Sequence, residues 1–110
     1  MKTDLKDVFS ALREFNAQRD WDQFHDGKNL ALALSIEAAE LNELFLWKNA
    51  EDVKKEKIQE ELADVFNYAI MLADKYNLEI PDICLKKIKE NSQKYPIDKA
   101  RGNAKKYSEL

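Results

Sequence analysis

Apolar side chains recur at three- and four-residue steps along most of this chain, which is the spacing of a helix face packed against a core. The first run predicts a helix from about Leu5 to Arg19, with Thr3 or Asp4 as its N-cap. The second run predicts a helix over roughly Asn29–Trp47 that is apolar on nearly every side. We therefore expect this second helix to be buried on nearly every side.

A third helix is predicted from Ala50 or Asp52 to Tyr76. Its first half is charged and its second half is apolar, so the C-terminal half is expected to enter the core. The segment Asp20–Lys28, between the first two helices, breaks the periodicity with an unusual density of large rings. Those rings serve either as core residues or as a ligand surface.

The fourth helix is predicted to start near Pro81, because proline is favoured in a first turn. It must end by Tyr95, since Pro96 disfavours helical geometry in the residue before it, and a basic tail Ile97–Leu110 follows. Short connections between long amphipathic helices favour antiparallel neighbours. The expected fold class is therefore all-α, an antiparallel bundle of four main helices plus a C-terminal tail, in a single domain over residues 1–110.

Charge and cysteine content narrow the function classes. The formal net charge is −3 with acids and bases mixed along the chain, so a nucleic-acid polymer is not an expected partner. No apolar stretch is long enough to span a bilayer, so no membrane partner is expected either. Cys84 is the only cysteine, which indicates a reducing, cytoplasmic setting and, for Cys84 itself, a small core residue.

Two pairs of acids fall on the inner faces of the two long central helices. Glu37 and Glu40 lie on or beside the apolar stripe of the second helix, and Glu61 and Asp64 border that of the third, near Tyr68. Acids three residues apart are common in this acidic chain, so their position rather than their spacing is informative. Carboxylates in a core need a partner, because desolvation costs several kcal/mol per charge.

That partner is either a basic side chain or a metal ion, and periodicity alone leaves both open. Against ion pairing, the second helix carries no base before Lys48. Four carboxylates without clustered His or Cys suit a hard cation such as Mg²⁺, which commonly shares the phosphates of a substrate. A di-iron site would need Glu-x-x-His on two helices, and the single histidine, His25, belongs to no such pair. The sequence contains neither of the glycine-rich phosphate-binding motifs, Gly-x-x-x-x-Gly-Lys and Gly-x-Gly-x-x-Gly.

The order of these acids resembles the signature of the MazG-like all-α nucleotide pyrophosphohydrolases, Glu-x-x-Glu followed by Glu-x-x-Asp. Within that family the chain looks most like the dCTP pyrophosphatase branch. The matches cover nearly the whole chain and include Arg19-Asp20-Trp21, Gln23-Phe24-His25, Asn29-Leu30, Trp47-Lys48, Tyr95-Pro96, Ala100-Arg101 and Lys106-Tyr107.

The resemblance implies a nucleoside triphosphate substrate, cleavage between its α and β phosphates, and a homotetramer built as a dimer of dimers. It assigns Mg²⁺ to the catalytic acids Glu37, Glu40, Glu61 and Asp64, and leaves open which group takes a proton from water. Trp21 and Trp47 are candidates for stacking on the base, although tryptophan is equally common in cores. The full set of substrate-binding candidates is Trp21, His25, Lys28, Trp47, Tyr68, Lys87, Asn91, Tyr95 and Arg101.

The expected activity is therefore hydrolysis of dCTP or a modified dCTP, for nucleotide-pool cleansing. One alternative is a noncatalytic helical interaction module that uses the acids structurally. Another is the same fold acting on phosphoribosyl-ATP or on a broad set of nucleoside triphosphates. The short segment Asn49–Lys57 between the acid pairs leaves the fine specificity open, because some relatives carry a longer insertion there.

Overall fold

The structure is a computed structural model that describes residues 3–110. Its helices are α1 (Leu5–Gln18), α2 (Gly27–Glu43), α3 (Lys55–Lys75), α4 (Ile80–Lys94) and the short α5 (Ile97–Ala100). Residues 3–110 contain no strand, so the predicted all-α class is confirmed. No helix in this range is long and apolar enough to cross a bilayer. The chain divides into a first unit that ends at Leu78 and a second unit from Glu79 to Leu110.

Helix α1 begins where the sequence predicts because Asp4 caps it. The Asp7 backbone N–H donates to Asp4 Oδ1 at 3.2 Å, and the Asp4 N–H donates in return to Asp7 Oδ2 at 2.9 Å. This reciprocal arrangement satisfies backbone donors that have no partner inside the helix. Asn16, in the last turn, is buried in the face that packs on α3.

Helix α2 starts before the predicted Asn29, because the Asp26 carboxylate accepts a hydrogen bond from the Asn29 N–H at 2.8 Å and caps the helix from there. It also ends before the predicted Trp47. After Glu43 the chain continues in turns, and Trp47 adopts φ 60°, the left-handed region that ends regular helix.

Helix α3 starts at Lys55, later than predicted, because residues 50–52 form a separate 3₁₀ turn. Its C-terminal half enters the core as expected: Ile70 and Ala73 are buried in α3, and Leu30 is buried in α2. Helices α2 and α3 pack closely against each other. They run antiparallel, because Glu37 lies beside Glu61 and Asp64, while Leu30, earlier in α2, and Met71, later in α3, line one cleft.

The expectation that α2 is buried on nearly every side is wrong for the single chain. Leu32 and Ile36 are each more than half exposed, and Phe66 of α3 is 57% exposed. Isolated exposed apolar residues are ordinary, but several on two packed helices form a surface of the kind that proteins cover by association.

In the second unit, α4 carries Pro81 in its first turn and ends at Lys94, close to the predicted Tyr95. Cys84 is exposed on α4, so the expectation that it is a core residue is wrong. The reason is that this face of α4 is left open within its own unit. The segment predicted as a basic tail forms α5 and a final 3₁₀ turn at Tyr107–Glu109.

Candidate metal centre and nucleotide cleft

An acidic cluster forms where the middle of α2 meets the first half of α3. Glu61 and Asp64 are one turn apart on α3 and face Glu37 of α2. One carboxylate oxygen from each of these three residues lies within 4.8 Å of the others. Glu40, one turn after Glu37, is within hydrogen-bonding reach of both Glu37 and Glu61. The fold therefore brings all four predicted acids together.

Two oxygens in this acidic cluster are buried without any hydrogen-bond partner, namely Glu37 Oε2 and Glu61 Oε2. The ion pairs within residues 3–110 are Arg13–Asp74, Lys57–Glu60 and Lys87–Glu90, and none of them involves the cluster. Buried polar atoms are rarely left without a partner, and an unpaired buried charge is costlier still. Residues 3–110 thus supply no basic side chain to neutralise these acids.

The electrostatics of the cluster follow from this lack of a cation. Burial, helped by Glu40 and by repulsion from Asp64 and Glu61, raises the pKa of Glu37 to about 7. Burial also raises the pKa of Glu61, with the Glu40 and Asp64 charges acting in the same direction. A proton or a cation in the cluster therefore stabilises it near neutral pH.

The donor set fits a hard divalent cation. Every side chain in the cluster offers carboxylate oxygen, and neither His nor Cys takes part. Oxygen-only donors are those preferred by Mg²⁺, Mn²⁺ and Ca²⁺ rather than by zinc or copper. A cation among these residues would give a partner to the two orphaned oxygens.

A cleft of about 260 Å³ lies in the same unit, between α1, the loop after it, and the ends of α2 and α3. It is lined by Leu12, Arg13, Asn16, Asp22, His25, Leu30, Met71, Asp74 and Lys75. Of the predicted binding residues, His25 lies here, and its Nδ1 is buried without a hydrogen-bond partner. Trp21 meets His25 edge-on, with ring centroids 6.5 Å apart, and Phe15 at 5.6 Å. Residues 19–26, the aromatic loop that connects α1 to α2, therefore border this cleft.

One wall of the cleft is an ion pair. Arg13 donates two hydrogen bonds to Asp74, with Nε 2.8 Å from Oδ2. The hydrogen bond from Arg13 lowers the pKa of Asp74, against the opposing effect of burial. Sequence reasoning missed this pair, because its members are far apart in the chain and neither interrupts an apolar pattern.

Sequence reasoning also missed Asn16, whose burial did leave a signal. Asn16 follows Leu12 by one turn and so continues the apolar stripe of α1. A polar residue at such a position is a candidate for a specific partner.

The remaining predicted residues of the first unit are not gathered with the acids or the cleft by these contacts. Trp47 is 94% exposed, so it is not a core residue of this chain. Lys28 is exposed near the start of α2, and Tyr68 is half-buried on α3, one turn beyond Asp64.

Four predicted residues belong to the second unit. Lys87 is exposed and lies 3.6 Å from Glu90, while Asn91 and Arg101 are exposed. Tyr95 packs edge-on against Tyr107 with centroids 6.0 Å apart. Their roles toward a substrate stay predictions.

Comparison with known proteins gives a consistent result. The MazG-like family model matches residues 32–110. The dCTP pyrophosphatase 1 proteins of Mus musculus and Homo sapiens are each 40% identical over 114 residues, which covers 96% of this chain and 67% of each of those proteins. A pyrophosphatase from Archaeoglobus fulgidus, known from its crystal structure, is 34% identical with a TM-score of 0.80, covering 87% of this chain and 95% of that chain.

Proposed function

Because this chain belongs to the MazG-like family and is a nucleoside triphosphate pyrophosphohydrolase, we propose that it hydrolyses dCTP or a modified dCTP to the monophosphate and pyrophosphate, with Mg²⁺ as its cofactor. The enzyme class of the relatives also argues against a noncatalytic interaction module. The choice of dCTP is supported by the relatives named dCTP pyrophosphatase 1.

The observation that carries the metal assignment is the pair of buried, unpartnered oxygens on Glu37 and Glu61. In this proposal Glu37, Glu40, Glu61 and Asp64 hold the cation. A divalent cation supplies neutralisation of phosphate charge and lowers the pKa of water. A cation held by these four acids would keep them ionised and would offset their repulsion of the triphosphate.

The other proposed roles concern the substrate. The rings of Trp21 and Trp47 offer faces on which a base can stack, for about 1–3 kcal/mol per stacked base. His25 lines the cleft and is proposed to hydrogen-bond the base or a phosphate. Lys28, Tyr68, Lys87, Asn91, Tyr95 and Arg101 are proposed to contact sugar and phosphates.

We also propose that the chain acts as one MazG-like domain and assembles into a homotetramer, a dimer of dimers. The family model spans both units, since it matches residues 32–110. The exposed apolar side chains of Leu32, Ile36 and Phe66 give association a driving force. A cytoplasmic location suits the exposed free thiol of Cys84, and nucleotide-pool cleansing is the proposed role.

The proposal is tested by incubating purified protein with Mg²⁺ and each nucleoside triphosphate, or with phosphoribosyl-ATP, and measuring release of pyrophosphate and monophosphate. We expect dCTP to be the preferred substrate. Glu37→Gln and Asp64→Asn should each lower kcat/KM by more than about 100-fold, since even outer-shell changes at metal sites cost 10–100-fold. Glu56→Gln, an exposed acid in the first turn of α3, is the matched control and should leave the rate unchanged.

Pyrophosphate release that survives both substitutions would reject the metal assignment. A preference for phosphoribosyl-ATP would keep the fold and the metal but replace the substrate. Light scattering of the same preparation measures the assembly, and a monomeric mass would reject the tetramer.

A further inference from the structure

Asn16 is the one buried polar residue within residues 3–110, and it lines the cleft. Its relative exposure is 5%. Its backbone carbonyl accepts a hydrogen bond from the Trp21 N–H at 3.0 Å, which ties the end of α1 to the aromatic loop. A buried amide in the wall of a cleft is expensive unless it is hydrogen-bonded, so its partners are informative.

The amide has a fixed orientation. Asn16 Nδ2 donates to the sulfur of Met71, with a separation of 3.0 Å. A thioether accepts hydrogen bonds but donates none. Rotating the amide by half a turn would therefore place the acceptor Oδ1 against the acceptor sulfur of Met71. The orientation with Nδ2 toward Met71 is therefore the favoured one, and Oδ1 is left as an acceptor. Within residues 3–110 Oδ1 accepts no hydrogen bond, and it is not among the enclosed atoms that lack a partner, so it remains accessible to solvent.

The distance between the cleft and the acidic cluster suits one nucleotide. Leu30 and Met71 line the cleft, whereas Glu37 and Asp64 belong to the cluster. Each cleft residue is about two helical turns from its acid, on the order of 10 Å along the axis. That is about the reach of a nucleotide from its phosphates across the sugar to the edge of the base. Phosphates at the acids therefore bring the base to the cleft.

We propose that Asn16 is a specificity-determining residue, whose Oδ1 accepts a hydrogen bond from the exocyclic amino group of the substrate's base. Met71 is a positioning residue that holds the amide in the orientation this requires. The inference rests on the proposed function, because it needs a nucleotide with its phosphates at the acids. It goes further by naming the atom that separates cytosine from uracil: cytosine presents an amino donor where uracil presents a carbonyl acceptor.

The test compares dCTP with dUTP as substrates for the wild type, Asn16→Leu and Met71→Leu. We expect the wild type to prefer dCTP. Asn16→Leu should lower the ratio of the two kcat/KM values by about 10-fold or more, because a site built to hydrogen-bond a group rejects an analogue that lacks it. Met71→Leu conserves volume but frees the amide to turn, so it should lower the ratio less while dCTP turnover persists. Gln18→Leu, an exposed amide on the same helix, is the matched control and should leave the ratio unchanged.

A second measurement needs no catalysis and is made with Mg²⁺ present. Calorimetric titration with dCMP and dUMP should show tighter binding of dCMP to the wild type and a smaller difference for both variants. If Asn16 has a purely structural role, its substitution should weaken the binding of dCMP and dUMP equally. Should Asn16→Leu fail to fold, Met71→Leu decides the question alone.

Failure of the Asn16 assignment can be distinguished from failure of the proposed function. One outcome is that the wild type releases pyrophosphate from dCTP while both variants discriminate against dUTP as strongly as the wild type does. In that case the assignment to Asn16 is wrong and the proposed function stands. A wild type that hydrolyses dCTP and dUTP equally well would likewise reject the assignment to Asn16 alone. If no deoxynucleoside triphosphate is hydrolysed, both proposals fall.

Discussion

Two groups of acids in the first unit differ in whether a basic side chain pairs with them. Asp74, near the end of α3, receives two hydrogen bonds from Arg13, and its pKa is lowered. Glu37 and Glu61, where α3 meets the middle of α2, have no basic partner among residues 3–110, and their pKa values are raised. Both groups involve the same helix, so the contrast does not reflect a general shortage of bases in this part of the protein.

The contrast separates a structural acid from one held ready for a ligand. Where an acid serves the fold, the chain supplies a guanidinium that offsets its desolvation. Where four acids meet without a base, they cost stability in the metal-free protein, and such a cost is typical of functional sites. The unpaired cluster, rather than the number of acids, is what marks the site.

The contrast between the two groups of acids is tested most strongly by the stabilisation that a bound cation gives. Mg²⁺ added to metal-free protein at pH 8 should raise the free energy of unfolding, by about 2.7 kcal/mol at 100 times the dissociation constant. Glu37→Gln should lose most of this gain, whereas Glu56→Gln should keep it. Thermal unfolding across a magnesium titration measures the effect, and equal stabilisation of both variants would contradict the assignment.

The dependence of stability on pH sharpens the comparison, because the two regions respond in opposite directions. The pKa of Glu37 rises from its ordinary 4.5 to about 7 on folding, so the folded protein binds more protons in that interval. Metal-free stability should therefore fall as pH rises from about 4.5 to about 7, and level off above. The pKa of Asp74 is lowered from 3.8, so its contribution is complete above that value and is lost as pH falls through the folded pKa.

Denaturant unfolding at several pH values, without metal, tests the signs. Glu37→Gln should flatten the decline between pH 4.5 and 7 without changing the loss in acid. If the stability of the wild type and that of Glu37→Gln change with pH in the same way across that interval, Glu37 carries no unfavourable charge.

The smallest expected effect comes from the Arg13–Asp74 pair. The Arg13 side chain is 66% exposed and that of Asp74 is 26% exposed, so solvent screens the attraction. Asp74→Asn should cost about 1 kcal/mol of stability or less, even though the geometry is bidentate. A double-mutant cycle with Arg13→Met isolates the pair. A coupling energy of zero would remove the distinction between paired and unpaired acids.

Local patterns predicted most of the fold. The capping acid Asp4 and the apolar spacing of α1 defined that helix almost to the residue, and Pro81 and Pro96 bracketed α4. The errors in helix bounds lie at the start of α3, where residues 50–52 form a separate 3₁₀ turn, and at the ends of α2. At α2 the cap at Asp26 and the left-handed turn at Trp47 depend on contacts and backbone angles that periodicity does not encode.

The candidate site was predictable in part for the same reason. Glu37 interrupts an apolar stripe and is therefore visible in the sequence, whereas Arg13 and Asp74 pair over a long separation without any local signal. Asn16 continued a stripe, but its partner Met71 and the direction of its amide belong to tertiary packing. Periodicity also overstated the burial of Leu32 and Ile36, because it reports that a face is apolar and not what covers it.

The connection after α2 carries a choice that stability alone would not make. A bulky residue in the left-handed region costs on the order of 1 kcal/mol relative to glycine, and the indole of Trp47 is 94% exposed, so packing within this chain returns nothing for that cost. A selection for heat resistance alone should therefore recover glycine at this position. The exposed indole therefore lowers the stability of the single chain. Its fluorescence emission, red-shifted while the ring faces water, should shift to shorter wavelength when another surface covers it.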